Sequence, residues 1–516
     1  MSAKVTLGLL VIFLVGYFLR VMFLPQNVLT FGYDQARDAI ISRQILAGDI
    51  KIQGPPASTP GLFHGVFYYY LLAPAYLIGS DNPVISAYWI AFINTLAVFV
   101  VFYLTYRMTK KYLTAGLAAL LFAISFESTQ YATWLSNPTT SVLTVPLMYL
   151  SLWAWLKEGK KWGPVAAGVG LGLSIQSEIF LVYHLVPLGL WLFVSRKTVT
   201  QKQVLTFLFF LLLSVSTMIL AQIKFGLGAT FDGIRGLAVG GDSSLAYAKS
   251  LGDYLILYLN QIGRIFAFNS YPGNIGYGGV FVLVLIFVSI FKSKKLEITP
   301  ELFLVSWLLS HLSVVTVGGT STPFLMVGIG PAVSIIIALY LSKWWFPPSP
   351  KATAGQGRRL LVIVILIILV FGNISMIARE NKSGSTLFAI QKDMLLSKQL
   401  KAVDFTYEKS KGQPFSINTL TSPLWINVVW SYLYKWYGQS KYGYVPSYHG
   451  HDQVGIIDSL PKDNGSVGNY FLILEPMGGI PNQYLELTIG QEDSYSKLVS
   501  EINFGELRVQ ERLRKL

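Results

Sequence analysis

Phe31 to Ile40 reads FGYDQARDAI, and the interpretation of these ten residues decides that of the whole chain. They follow an apolar stretch, Val5 to Leu24, and gather Asp34, Arg37 and Asp38 just beyond it. On a helix, Asp34 and Asp38 are four residues apart and share a face, with Cβ atoms about 5–6 Å apart and Arg37 beside them. Two carboxylates that close repel each other, so solvent, Arg37, a metal ion or a bound cation must compensate. Taken locally, the same letters also fit a plain helix start with Asp34 as N-cap and the later charges as solvated surface. The surroundings have to decide between a cap and a site.

The chain has 516 residues, 53% hydrophobic and 13% charged, with a mean hydropathy of +0.52. Apolar stretches of about 20 residues, the length of helix that crosses roughly 30 Å of hydrocarbon, recur through residues 1–379. These features indicate a polytopic membrane protein and exclude an ordinary soluble domain. The net charge of +14 does not indicate nucleic acid, because Lys and Arg cluster in short loops between apolar spans, as the positive-inside rule requires. With no cysteine, neither disulfides nor thiolate metal sites are available. Lys4 before an apolar run is read as the cytoplasmic flank of an uncleaved first span.

Charge counting then sets the expected topology. The first span delivers the acidic motif to the extracytoplasmic side, into a loop over residues 25–85. There Gly54, Pro55, Pro56, Pro60, Gly61 and Gly65 rule out a long helix. Residues 66–80 are apolar but short, and a crossing there would place Arg107, Lys110 and Lys111 outside, so this segment is read as interfacial or re-entrant. Residues 163–194 must hold two short helices with their break at Gln176 to Glu178. A glycine-rich second outer loop is expected over residues 224–274. Together these give an all-α polytopic membrane region of about 11 transmembrane helices over 1–379, followed by a small extracytoplasmic α/β domain over 380–516. Strand-like PFSINTL and YFLILEP belong to that domain. The location is a plasma membrane with the N-terminus cytoplasmic.

With that layout in place, YDQARDA followed by GPPASTPGLFHGVFYYYLLAP resembles the GT-C class of membrane glycosyltransferases. The likeness is to the bacterial branch related to protein O-mannosyltransferases and lipid A aminoarabinose transferases. It extends to the outer turn WLSNP and to WSYLYKWYGQSKYGYVP and YFLILEP in the tail. Gln35 stands where relatives often have Glu, and Val66 where they often have Pro. The resemblance implies a GT-C fold and inverting transfer of a sugar from a polyprenyl phosphate to an acceptor outside the membrane. It also implies a catalytic base at Asp34.

Such a transfer needs one carboxylate within about 2.6–3.2 Å of the acceptor proton. Asp34 is the candidate base, with Asp38 its alternative or electrostatic partner. Cations or donors must meet the departing phosphate. Arg37, His64, Arg235, Lys249 and Arg264 are available outside, and Arg264, Arg37 and His64 are the favoured three. Tyr68, Tyr69 and Trp134 offer faces on which a sugar can stack. The residues assign no cofactor: a divalent metal across the acidic pair stays an open alternative, which the absent carboxylate at Gln35 weakens. HGHD at His449 to Asp452 matches no zinc spacing. The expected partners are a polyprenyl-phosphate sugar, a glycan, lipid or protein acceptor, and membrane lipid. The competing readings are a transporter or flippase of lipid-linked sugars and a non-catalytic scaffold.

Overall fold

A computed structural model describes the chain except at residues 229, 234–249, 271–274, 293–295, 314–322, 347–351, 385, 388, 451–457, 466–467 and 516. The first span is helix α1 (Ala3–Val21), and the acidic motif opens α2 (Tyr33–Leu46). Next come α3 (Phe67–Ile78), α4 (Pro83–Thr109), α5 (Tyr112–Ala123), α6 (Phe126–Thr133), α7 (Ser141–Leu156) and α8 (Gly163–Ser177). After a 3-10 turn at Ile179–His184 come α9 (Leu185–Val194), α10 (Gln201–Ser214) and α11 (Ser216–Phe225). Among the described residues, four helices are long and apolar enough to cross a bilayer, or six if two bent pairs each count as one. About eleven were expected. The difference arises where breaks leave pieces too short to qualify singly, as at the 52° bend between α5 and α6, the 57° bend between α10 and α11, and the turn after α8. Buried Arg20 braces the first of these bends, donating to Gly16 O, Ala123 O, Asn94 Oδ1 and Ser128 Oγ.

The segment expected as an irregular loop over 224–274 contains a 19-residue helix, α12 (Leu251–Asn269). Its start is a capping box in which Ser250 accepts from Asp253 N and Asp253 reaches back to Ser250 N. Tyr258, Ile262, Ile265 and Phe266 recur at helical spacing along its buried face. The glycine content of the flanks had hidden that pattern. Then follow α13 (Ile275–Lys292), α14 (Pro300–Leu309), α15 (Gly330–Trp345) and α16 (Ala352–Met376).

The remaining chain forms α17 (Leu396–Ser410), α18 (Val428–Leu433), α19 (Asn482–Tyr495) and a five-stranded mixed sheet. Its strands are β1 (Ser416–Leu420), β2 (Ser447–Tyr448), β3 (Asn469–Leu474), β4 (Ser496–Phe504) and β5 (Leu507–Arg514), in the order β2-β1-β3-β5-β4. β1 runs parallel to β2 and β3, whereas β5 is antiparallel to β3 and β4. β1 and β3 fall on the two strand-like stretches read from sequence.

One apolar core fills the helical region. A second joins α2, α3 and the start of α4 to α17, α18 and the sheet. That shared core grips the chain just before the acidic helix. Phe31 N donates to Met394 O at 2.9 Å, Leu396 N to Leu29 O at 2.8 Å, and Gln399 Nε2 to Phe31 O at 2.6 Å. The fully buried Phe31 ring lies 5.4 Å from that of Tyr432.

Candidate active site

The N-cap of α2 is Gly32, not Asp34. Gln35 is the reason: its Oε1 accepts from Gly32 N at 2.9 Å, while its Nε2 donates to Leu135 O at 2.8 Å in the WLSNP turn. Gln35 therefore both caps the helix and fixes it to the turn after α6. Asp34 is released from capping and sits in the first turn, where the helix dipole favours a negative charge.

Arg37 joins the two carboxylates. Its Nη1 donates to Asp34 Oδ1 at 2.7 Å, and its Nε and Nη2 donate to Asp38 Oδ1 at 2.9 and 2.7 Å. The two acids occupy different environments. The Asp34 side chain is 53% exposed, whereas that of Asp38 is 1% exposed and its Oδ2 has no hydrogen-bond partner. Burial pushes the Asp38 carboxyl up to about 7 against the pull of Arg37. Burial also opposes the Arg37 charge, but Asp38 and Asp34 outweigh it and the guanidinium stays ionised. Since Arg37 lies where a bridging metal would, the acidic pair fits a guanidinium better than a metal ion. Among the described residues, no three His, Asp or Glu side chains converge as metal ligands.

The GPPASTPGLFHG segment folds into a tight hairpin below the acidic helix. Ala57 N donates to Leu62 O at 2.8 Å and His64 N to Pro55 O at 2.9 Å. Gly65 packs so closely on α8 that a Cβ there would lie 1.6 Å from Gln176 Oε1, and Gly65 N donates to Gln176 O at 2.8 Å. This fixes His64, whose Nδ1 accepts from Ile179 N at 3.2 Å and lies 3.7 Å from Glu178 Oε1. Burial, aided by Arg37, lowers His64 to about 3. The ring is therefore neutral and carries its proton on Nε2, a hydrogen-bond donor rather than the cation expected from sequence.

Tyr68 and Tyr69 are buried beside this pair, within electrostatic reach of Asp38 and Arg37. Only Tyr70 of the three is exposed. Trp134 packs into the core of the helical region at 9% exposure. Arg264 stands on α12, with Nε, Nη1 and Nη2 all buried and, among the described residues, without hydrogen-bond partners. Its charge acts on Glu127 on α6, a residue that the motifs singled out in the sequence do not include. The available signal was a lone carboxylate in an apolar stretch. Arg235, Lys249, His451 and Asp452 lie outside the described residues. Glu475 accepts from Ser422 N at 2.9 Å and Trp430 Nε1 at 3.0 Å.

Two groups of candidate residues thus stand out: Asp34, Arg37, Asp38, His64 and Tyr69 in one, and Arg264 with Glu127 in the other. Tyr183 and Tyr131 connect them. Their hydroxyls donate to Leu325 O at 2.9 Å and Pro323 O at 2.8 Å, and Tyr183 acts electrostatically on Tyr131 and is itself acted on by Glu178.

No family model and no curated protein matches the sequence. Solved structures share its fold. The crystal structure of ArnT from Cupriavidus metallidurans bound to undecaprenyl phosphate superposes with a TM-score of 0.60 at 12% identity, covering 99% of this chain and 98% of that one. The apo state of the same protein gives 0.57 at 13% identity. The apo oligosaccharyltransferase of Archaeoglobus fulgidus gives 0.52 at 13% identity over 83% of this chain and 63% of that one. The chain therefore shares the fold of these structures, helical with a small C-terminal sheet, and the apolar helices agree with a membrane location.

Proposed function

We propose that the protein is an inverting glycosyltransferase that moves a sugar from a polyprenyl phosphate to a glycan, lipid or protein acceptor on the extracytoplasmic side. The observation that carries this reading is the unequal acidic pair. Arg37 engages only Oδ1 of Asp34, which leaves an exposed carboxylate oxygen to take a proton. Asp38, buried and doubly bonded to the same guanidinium, holds that guanidinium in place.

In this account Asp34 accepts the acceptor's proton as its oxygen attacks the anomeric carbon, and the polyprenyl phosphate departs without protonation. Arg264, whose guanidinium nitrogens make no hydrogen bond among the described residues, receives the developing phosphate charge, and the His64 N–H adds a neutral donor. An apolar groove of about 480 Å³ between α12, α13, α15 and α16, lined by residues such as Phe266, Phe281, Leu285, Ile337 and Leu369, has the character a prenyl chain requires. The fold shared with ArnT, crystallised with undecaprenyl phosphate, supports the same donor class. The membrane region is assigned to 1–379 and the extracytoplasmic domain to 380–516, with the N-terminus cytoplasmic.

The purified protein in detergent, given radiolabelled polyprenyl-phosphate sugars and a membrane extract as acceptor source, should move label from lipid to acceptor. A transporter would yield no new covalent product under these conditions, and its absence across the sugars tested would overturn the proposal.

A further inference from the structure

Glu127 is oriented as if for a ligand. Its Oε2 accepts from Asn269 Nδ2 at 2.6 Å; that amide also donates to Ile265 O at 2.8 Å, and its carbonyl accepts from Ser125 Oγ at 2.5 Å. Gly330 leaves the carboxylate room in this position: a Cβ there would come within 2.6 Å of Oε2. Every partner fixes one oxygen. The other, Oε1, is buried in a residue only 3% exposed and has no hydrogen-bond partner among the described residues.

A buried carboxylate oxygen without a donor is costly, and a cation acts on this one from nearby. Arg264 is the charge that pulls on Glu127, yet the two form no ion pair within 4 Å among the described residues. All three of its nitrogens are unpartnered as well. A buried carboxylate oxygen and a buried guanidinium that act on each other electrostatically, yet form no ion pair, suit a group that is anionic at one end and hydrogen-bond-donating at the other. A sugar phosphate has that polarity, with phosphate oxygens for Arg264 and a hydroxyl or ammonium substituent for Glu127.

We infer that Glu127 reads the donor sugar: its Oε1 accepts a hydrogen bond from a substituent of the sugar ring while Arg264 holds the phosphate. This rests on the proposed function and assigns a specificity role to a residue outside the acidic motif. Glu127 does not take part in proton transfer; it sets which lipid-linked sugar is retained.

The test uses full-length protein in nanodiscs and measures binding of two kinds of probe. One is undecaprenyl phosphate without a sugar; the other is a panel of undecaprenyl-phosphate hexoses, pentoses and amino sugars. Wild type should bind at least one sugar-bearing lipid more tightly than the bare lipid. Glu127→Gln, which keeps volume and can still accept from Asn269, should weaken that lipid about tenfold and leave the bare lipid unchanged. Arg264→Gln should weaken both. Preferential loss of a neutral sugar would identify the substituent as a hydroxyl, and of an amino sugar as an ammonium group. If Glu127→Gln changes neither probe or both equally, or if no sugar lipid outbinds the bare lipid in wild type, the inference falls while the donor class stands. If wild type binds neither, the functional proposal falls with it. Melting temperatures of the variants, which should match wild type within a few degrees, separate lost binding from lost fold.

Discussion

Arg37→Gln gives the most quantitative view of the acidic cluster. The substitution removes three charge-assisted hydrogen bonds, two to buried Asp38 and one to exposed Asp34. The Asp34 pair, with a half-exposed carboxylate, is worth about 0–1 kcal/mol. Breaking a buried pair by deleting one partner costs about 3–5 kcal/mol, because the remaining charge is stranded. The loss expected at pH 8 is therefore about 3–5 kcal/mol, nearly all of it from Asp38. Asp38 can escape by taking up a proton. Its carboxyl is already raised to about 7 with Arg37 in place, and it must rise further without it. A raised carboxyl penalises the folded state above its pKa, and the penalty fades as pH falls through it. The gap between wild type and variant should thus narrow by up to about 1.4 kcal/mol at pH 5.5, where both carry neutral Asp38, since only the unit from pH 7 to 8 separates their titrations. Arg37→Gln combined with Asp38→Asn should recover about 2 kcal/mol or more at pH 8, since no charge is then stranded. Unfolding of detergent-purified protein, followed by tryptophan emission at both pH values, measures the cycle. Full stability of the single variant at pH 8, or strict additivity in the double, would refute the reasoning.

Other outcomes follow from the same geometry. The kcat/KM profile should fall as pH drops through about 7, because protonating Asp38 loosens the hold on Arg37; a pH–rate series in detergent should lack that limb in Asp38→Asn. Gly65→Ala drives a Cβ into Gln176 and should lower the melting temperature by several degrees while abolishing activity, as His64 is carried off its position. Gln399→Leu leaves Phe31 O unpaired in the core. It should cost about 1–3 kcal/mol in chemical unfolding and lower transfer, although residue 399 lies far from the acidic helix in sequence.

The acidic cluster was legible because its contacts are local. Spacings of one and three residues brought Arg37 to both acids, and charge counting placed the break near Gln176 to Glu178 between α8 and the following turn. What the sequence concealed is mostly long-range. Gln399 and Phe31 are 368 positions apart, and no periodicity marks that a tail helix braces the acidic motif. Gln35 was read as a missing carboxylate, whereas its partners, Gly32 N and Leu135 O, give it a capping role in place of Asp34. Helix α12 was masked by glycines on either side, although the Ser250 and Asp253 pair signalled its start. The hairpin of β4 and β5 turns at Gly505 with φ of +74° and went unread because its strands are largely polar on their open face. Glu127 belongs to no motif, and its partner Asn269 lies 142 positions away.

The most direct measurement compares transfer of a labelled sugar from its polyprenyl-phosphate donor by wild type, Asp34→Asn and Asp38→Asn, each purified and shown to bind undecaprenyl phosphate. If Asp34 is the base, Asp34→Asn should retain donor binding and lose transfer by about 10²–10⁴-fold. Transfer by Asp34→Asn at the wild-type rate would contradict the account.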